Sequence, residues 1–178
     1  MRRLLKWLGQ LALVLAIYAV QIAVSSLLPF PASRFNLIIA FLLWLLFFDE
    51  RRLMLWSLPL LGFLTELFVS TPFGASLIAL FFGLLAADWL WSNLLTNRSL
   101  SSVFFLSLAT AAIYSASFIT LDYLFNLTLR GPKINPFKLL MDSGLEILLT
   151  AVLAAVGFGL ASLFLKRLNP KYLSEKKI

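Results

Sequence analysis

Long apolar runs separated by short polar or charged breaks dominate this chain. Runs of this length predict membrane-spanning helices, because about 20 apolar residues cross a hydrocarbon core of roughly 30 Å. Six runs can be drawn, at about residues 4–28, 35–48, 53–69, 73–91, 103–125 and 138–165. We therefore predict a single all-α domain over residues 1–178, a bundle of about six transmembrane helices.

The second run, residues 35–48, is short for a membrane span. Fourteen helical residues rise only about 21 Å, which is less than the thickness of the hydrocarbon core. Such a segment is either a short span that thins the bilayer or one arm of a re-entrant hairpin with the third run. We favour the short span, which keeps six crossings.

Composition supports an integral membrane protein. Hydrophobic residues make up 61% of the chain, charged residues 13%, and the mean hydropathy is +0.96. The absence of cysteine and histidine excludes disulfides, thiolate chemistry and imidazole-based catalysis or metal binding. No P-loop, dinucleotide fingerprint or G-x-S-x-G motif is present. We therefore expect neither an enzyme nor a cofactor.

Arg2, Arg3 and Lys6 precede the continuous apolar part of the first run, as basic residues do in a signal peptide. It is longer than a typical signal-peptide core and no A-x-A cleavage site follows, so we expect an uncleaved span. Four alanines are spaced so that they share one face of this helix. This candidate helix-packing face consists of Ala12, Ala16, Ala19 and Ala23. It could pack inside this protein or against a partner.

The basic residues predict the orientation. With six spans both termini lie on one side, and that side holds eleven of the fifteen basic residues. The other side holds only Arg34, Arg130, Lys133 and Lys138. The positive-inside rule then places both termini in the cytoplasm. The positive charge also suits anionic lipid headgroups, and we expect no nucleic-acid partner because no soluble basic surface is present.

One carboxylate, Glu66, lies inside an apolar run, directly before a turn built on Pro72 and Gly74. Ionisable groups in membrane segments are costly and mark functional sites by default. Glu66 is either an interfacial acid that reaches water or bonds the turn, or a buried acid that fixes a neighbouring helix or receives a partner's basic group. Gly62, one turn earlier, would allow another backbone to come close.

Three further acids are candidates near the predicted outer leaflet: Asp122, Asp142 and Glu146. Asp142 and Glu146 are four residues apart and share a helix face. Acids early in a helix also favour its dipole, so a structural role is expected for this pair. Asp122 has Arg130 and Lys133 across a short loop as candidate partners.

The segment around Glu66 resembles the rod shape-determining protein MreD family of bacteria. That family carries a G-F-L-x-acid-L segment followed by a Ser-x-Pro-x-Gly turn. The matching residues here are Gly62, Phe63, Leu64, Glu66, Leu67, Ser70, Pro72 and Gly74. The family more often has Asp at the position of Glu66. The clear match covers about residues 36–80, and elsewhere only the hydropathy agrees.

The resemblance implies a non-enzymatic, multi-pass subunit of the cell-elongation machinery in the bacterial cytoplasmic (inner) membrane. Proteins of this family associate with MreC and, through it, with the RodA glycosyltransferase, a class B penicillin-binding transpeptidase and MreB filaments. The family is also similar in fold to the substrate-binding subunits of energy-coupling-factor vitamin transporters. Such a transport subunit is the alternative function. The outer acids and the alanine face of the first helix motivate it.

Overall fold

A computed structural model of the chain describes residues 2–68, 73–93, 100–129 and 136–168. Within those ranges the chain forms six α-helices and no strand, so the all-α prediction is confirmed. In chain order they are α1 (Arg2–Leu27), α2 (Leu37–Phe47), α3 (Arg51–Phe68), α4 (Ala75–Asn93), α5 (Leu100–Leu129) and α6 (Pro136–Leu168). A 3-10 turn at Ala32–Arg34 joins α1 to α2.

Four of the described helices are long and apolar enough to cross a membrane. Their apolar stretches are Trp7–Leu27, Ala75–Asn93, Leu100–Phe125 and Met141–Ser162. The chain is therefore an all-α protein of membrane type. The helix bounds differ from the predicted runs by a few residues, and α6 begins at Pro136 because proline is well suited to the first position of a helix.

The short helix α2 lies at the centre of the bundle. Nine of its eleven residues are buried, and it packs against all five other helices. Eleven residues rise only about 16 Å. Its side chains Leu42, Leu43 and Leu46 are almost completely enclosed by the protein. The run at residues 35–48, which the sequence predicts to be a short membrane span, thus forms the core of the fold.

Both ends of α2 have their backbone groups satisfied. At its start the side chain of Asn36 accepts a hydrogen bond from the backbone N–H of Ile39, as an N-cap residue does. At its end Asp49 adopts a left-handed conformation with φ of 63°. The N–H groups of Asp49 and Glu50 donate to Leu46 and Leu45, which is the Schellman pattern that closes a helix.

Helix α1 lies at the edge of the bundle. Only 11% of its apolar stretch is buried, against 22% to 39% for the other three candidate spanning helices. Val14 and Tyr18 face the core, and the Tyr18 hydroxyl donates to the carbonyl oxygen of Leu64 on α3 at 2.6 Å. One face of α1 therefore belongs to the fold, and the opposite face is exposed over the residues whose side chains are described.

Charged side chains from distant parts of the sequence meet at opposite ends of the bundle. At one end, the Arg51 end, Arg51 Nη1 lies 3.4 Å from Asp88 Oδ1 on α4. At the other end, the Arg34 end, Arg34 Nη2 lies 2.8 Å from Asp142 Oδ2 on α6. Each of these two ion pairs joins residues that are far apart in the sequence.

Candidate functional site

The described residues of the Glu66 segment form the junction between α3 and α4. Gly62 is buried, and a Cβ built on it would lie 3.1 Å from the backbone Cα of Leu77 on α4. That distance is tighter than ordinary contact, so glycine lets the two helices approach. Such close approach is what small residues provide between membrane helices.

Glu66 holds the beginning of α4. Its side chain is buried, with 9% of its surface exposed, and Oε1 accepts a hydrogen bond from the backbone N–H of Leu77 at 3.1 Å. The first N–H groups of a helix have no partner within the helix, and a negative charge near them is favoured by the helix dipole. Oε2 is also buried and has no hydrogen-bond partner within the described part of the chain. Glu66 is thus a buried acid that fixes a neighbouring helix.

The turn at the start of α4 completes this junction. Gly74 has a φ of 99°, which a side chain would strain, and its carbonyl oxygen accepts from the N–H of Ile78. Phe63 and Phe73 make an edge-to-face contact across the junction with ring centroids 6.1 Å apart, and both rings remain exposed. Leu64 contributes the carbonyl oxygen that α1 binds, and Leu67 is exposed. The motif residues Ser70 and Pro72 lie outside the described residues.

The acids Asp142 and Glu146 belong to a polar network at the Arg34 end. Asp142 pairs with Arg34, and Glu146 Oε1 accepts a hydrogen bond from Asn36 Nδ2 at 2.9 Å. The backbone N–H of Asn36 also donates to Thr150 Oγ1 at 3.2 Å. The network therefore attaches the segment before α2 to three successive turns of α6.

Gln21 extends the polar contacts at this end to α1. Its Oε1 accepts from the backbone N–H of Leu37 at 2.7 Å, and its Nε2 donates to the carbonyl oxygen of Phe35 at 3.0 Å. Gln21, Arg34 and Asn36 were not predicted as site residues. Their position could have indicated this role. They are polar residues near a short apolar run, whose helix needs hydrogen-bond partners for the backbone groups at its ends.

Asp122 lies on α5, two helical turns beyond Ser115 on the same face, and is half-buried. Its predicted partners Arg130 and Lys133 lie outside the residues whose side chains are described. Asp122 is not among the residues that line the cavity formed by Asp142 and Glu146. Two of the three outer acids, Asp142 and Glu146, thus line one cavity.

The alanine face of α1 points away from the bundle. Ala12, Ala16, Ala19 and Ala23 are all exposed, on the side of the helix opposite Val14 and Tyr18. Within this chain other small residues are covered by a neighbouring helix: Gly83 lies against Thr110 and Tyr114, and Gly157 against Trp44. The alanine face is therefore free to pack against something outside this chain.

No group of three or more acidic, histidine or cysteine side chains that could hold a metal ion occurs in the described part of the chain. Glu66, Glu146 and Asp142 instead bond to a backbone N–H, an amide and a guanidinium group within the fold. The chain matches no protein-family model, no curated protein and no solved structure.

Proposed function

We propose that this chain is a non-enzymatic membrane scaffold of the MreD kind, which binds the transmembrane helix of MreC. Through MreC it would connect to RodA, a class B penicillin-binding transpeptidase and MreB. In this proposal the chain lies in the bacterial inner membrane with both termini in the cytoplasm. Its bundle would have the fold of the substrate-binding subunits of energy-coupling-factor transporters, without a cofactor.

The observation that carries the proposal is the uncovered alanine face of α1. Ala12, Ala16, Ala19 and Ala23 form a continuous exposed stripe on the least buried of the candidate spanning helices. Small residues let two helix backbones approach closely, and in lipid such packing is a main source of helix association. A single helix from another protein fits this surface.

The α3–α4 junction supports the family resemblance. Gly62, Glu66 and Gly74 each have a separate physical task there: close approach, capping of α4 and a left-handed turn. The three motif residues therefore act together in one junction, which supports the resemblance. The longer reach of Glu compared with Asp is accommodated by its bond to Leu77.

The experiment is co-purification from the native host. The protein is tagged at its C-terminus and extracted in mild detergent, and its partners are identified by mass spectrometry with untagged membranes as background. The proposal predicts enrichment of MreC together with RodA and a transpeptidase. Recovery of a pair of ATPases with a coupling membrane subunit would contradict it and would identify a transport subunit instead.

A further inference from the structure

The Arg34 end of the bundle contains a cavity that the scaffold function does not use. Its volume is about 160 Å³, and side chains of α5 and α6 and Arg34 line it. For comparison, an engineered cavity of about 150 Å³ is large enough to hold benzene. Six of the lining residues bear on what it could hold: Arg34, Tyr114, Ser115, Phe118, Asp142 and Glu146.

The hydroxyl of Ser115 lacks a partner in this cavity. Ser115 is 5% exposed, and its Oγ has no hydrogen-bond partner among the described residues. Other hydroxyls of α5 behave differently: Ser107, Thr110 and Thr120 each donate to a carbonyl oxygen one turn earlier. A buried hydroxyl without a partner is costly, and the cavity is where Ser115 can find one.

The charges that line the cavity favour a cation. Arg34 and Asp142 neutralise one another through their 2.8 Å ion pair. Glu146 is held by the neutral amide of Asn36, so with its carboxyl group ionised the described charged side chains of the lining sum to one negative charge. Because a charge in a membrane protein is costly without compensation, a positively charged group is the complement of this site.

Two aromatic residues of the lining suit an organic body. The rings of Tyr114 and Phe118 stack with centroids 6.1 Å apart and planes inclined by 22°, and both line the cavity. Aromatic faces attract cations and also contact the carbon atoms next to them. The site therefore offers an acceptor-rich region and an aromatic region side by side.

We propose that this cavity binds a primary ammonium group carried on a small organic body. The ammonium N–H groups would donate to the carboxylate of Glu146 and the hydroxyl oxygen of Ser115, and the attached carbons would contact Tyr114 and Phe118. A quaternary ammonium has no N–H to donate and satisfies neither acceptor. The ammonium group can belong to a soluble amine or to an ethanolamine lipid headgroup, which share this chemistry.

The test uses the full chain in nanodiscs of phosphatidylcholine, whose headgroup is quaternary. Isothermal titration calorimetry with benzylamine should show saturable binding, and benzyl alcohol, its neutral counterpart, should bind at least tenfold more weakly. Glu146→Gln keeps the acceptor for Asn36 and should weaken benzylamine binding at least tenfold. Ser115→Ala should weaken it about threefold to tenfold. Ser162→Ala is the control, because Ser162 donates only to Gly159 on its own helix and should not alter binding.

The two sources of the ammonium group are separated by a second arm. If the natural ligand is a lipid, nanodiscs containing phosphatidylethanolamine should weaken benzylamine binding, and native mass spectrometry should show retained phosphatidylethanolamine that Glu146→Gln loses. If it is a soluble amine, the added lipid has no effect on benzylamine binding. The proposal is overturned if benzylamine and benzyl alcohol bind equally, or if neither benzylamine nor phosphatidylethanolamine binds. It is equally overturned if Ser115→Ala and Glu146→Gln leave binding unchanged while both proteins remain folded.

Discussion

Helices α1 and α2 are neighbours in the sequence and are both strongly apolar, yet they lie in opposite environments. The 26 residues of α1 cover one edge of the bundle, with only 11% of its apolar stretch buried. The eleven residues of α2 are surrounded by the other five helices. The long helix therefore presents surface to its surroundings, and the short helix supplies the core.

The difference teaches that apolar composition in a membrane protein does not tell what a helix contacts. Lipid and protein interior are similarly apolar, so hydropathy alone does not tell which of them a helix contacts. The two helices differ in the size of the side chains at their contacts and in the hydrogen bonds at their ends. α2 is held by hydrogen bonds at both ends and by large side chains around it, whereas α1 exposes a stripe of alanines.

The largest predicted effect is on the contact between α2 and α6. Gly157 packs directly against the Trp44 indole, and a Cβ at position 157 would overlap that ring. The indole Nε1 also donates to the carbonyl oxygen of Ala154 at 3.1 Å, which restricts its movement. Gly157→Ala should destabilise the protein by about 3 kcal/mol, at the upper end of overpacking costs.

Thermal unfolding in detergent, followed by tryptophan fluorescence, measures this change. Gly144→Ala is the matched control on the same helix, because a Cβ there meets nothing within 4 Å. It should leave stability unchanged or raise it slightly, since alanine favours a helix over glycine. Equal behaviour of the two variants would show that α2 is not packed as described.

The second prediction asks whether Glu66 serves the folded interior, as α2 does, or a partner, as α1 is proposed to do. Glu66→Ala leaves the part-buried N–H of Leu77 without its acceptor and should cost about 1–3 kcal/mol of unfolding free energy. Glu66→Gln keeps an acceptor oxygen and should cost less. The comparison is made in unfolding titrations with Glu50→Ala, an exposed acid, as control. Full stability of Glu66→Ala together with lost co-purification of MreC would instead assign Glu66 to the partner surface.

The third prediction concerns the hydrogen bonds that connect α1 to the start of α2. Gln21→Leu removes both the acceptor for Leu37 N–H and the donor to Phe35, and should destabilise the protein by about 1–2 kcal/mol. Gln10→Leu makes the same change three turns earlier on α1 and should have little effect. Unfolding midpoints of the two variants in detergent check this. Equal midpoints would mean that α1 does not help to hold the start of α2.

The smallest predicted effect on stability is on the alanine face itself. Ala16→Leu adds a side chain to an exposed position and should change the unfolding free energy by less than about 0.5 kcal/mol. It should nevertheless reduce the amount of co-purified MreC several-fold, because leucine separates the helix backbones. Ala116→Leu, the same change at an exposed position of α5, should leave co-purification unaffected. A reduction by both variants would indicate a non-specific effect of added bulk.

Much of the helical framework could be predicted from the sequence, because charged breaks and proline-containing turns leave few alternatives for where apolar helices begin and end. The close approach of α3 and α4 at Gly62 could also be predicted, because a glycine one turn from an acid in an apolar run leaves room for a neighbouring backbone. The burial of α2 could not be predicted. Its run of large apolar residues lacks the polar face that reveals the inward side of a helix in a water-soluble protein.

The polar network at the Arg34 end was also beyond the reach of the sequence. Arg34 and Asp142 are separated by more than a hundred residues, and their pairing depends on how α6 packs beside the start of α2. The spacing of Asp142 and Glu146 could identify these acids as a pair. It could not identify the side chains that bind them. For Asp122 the sequence offered Arg130 and Lys133 as candidate partners across a short loop, and that loop lies outside the described residues.

The central claim is that MreC binds the alanine face of α1, and site-directed cross-linking tests it most directly. The chain contains no cysteine, so a single cysteine can be introduced at Ala12, Ala16, Ala19 or Ala23 and labelled with a photoactivatable maleimide. Leu11 and Leu13 are exposed controls, each about 100° around the helix from Ala12. The account predicts cross-links to MreC at the four alanine positions and far lower yields at the two controls. Equal yields at Leu11 and Leu13, or no cross-link at any of the four alanines, would contradict it.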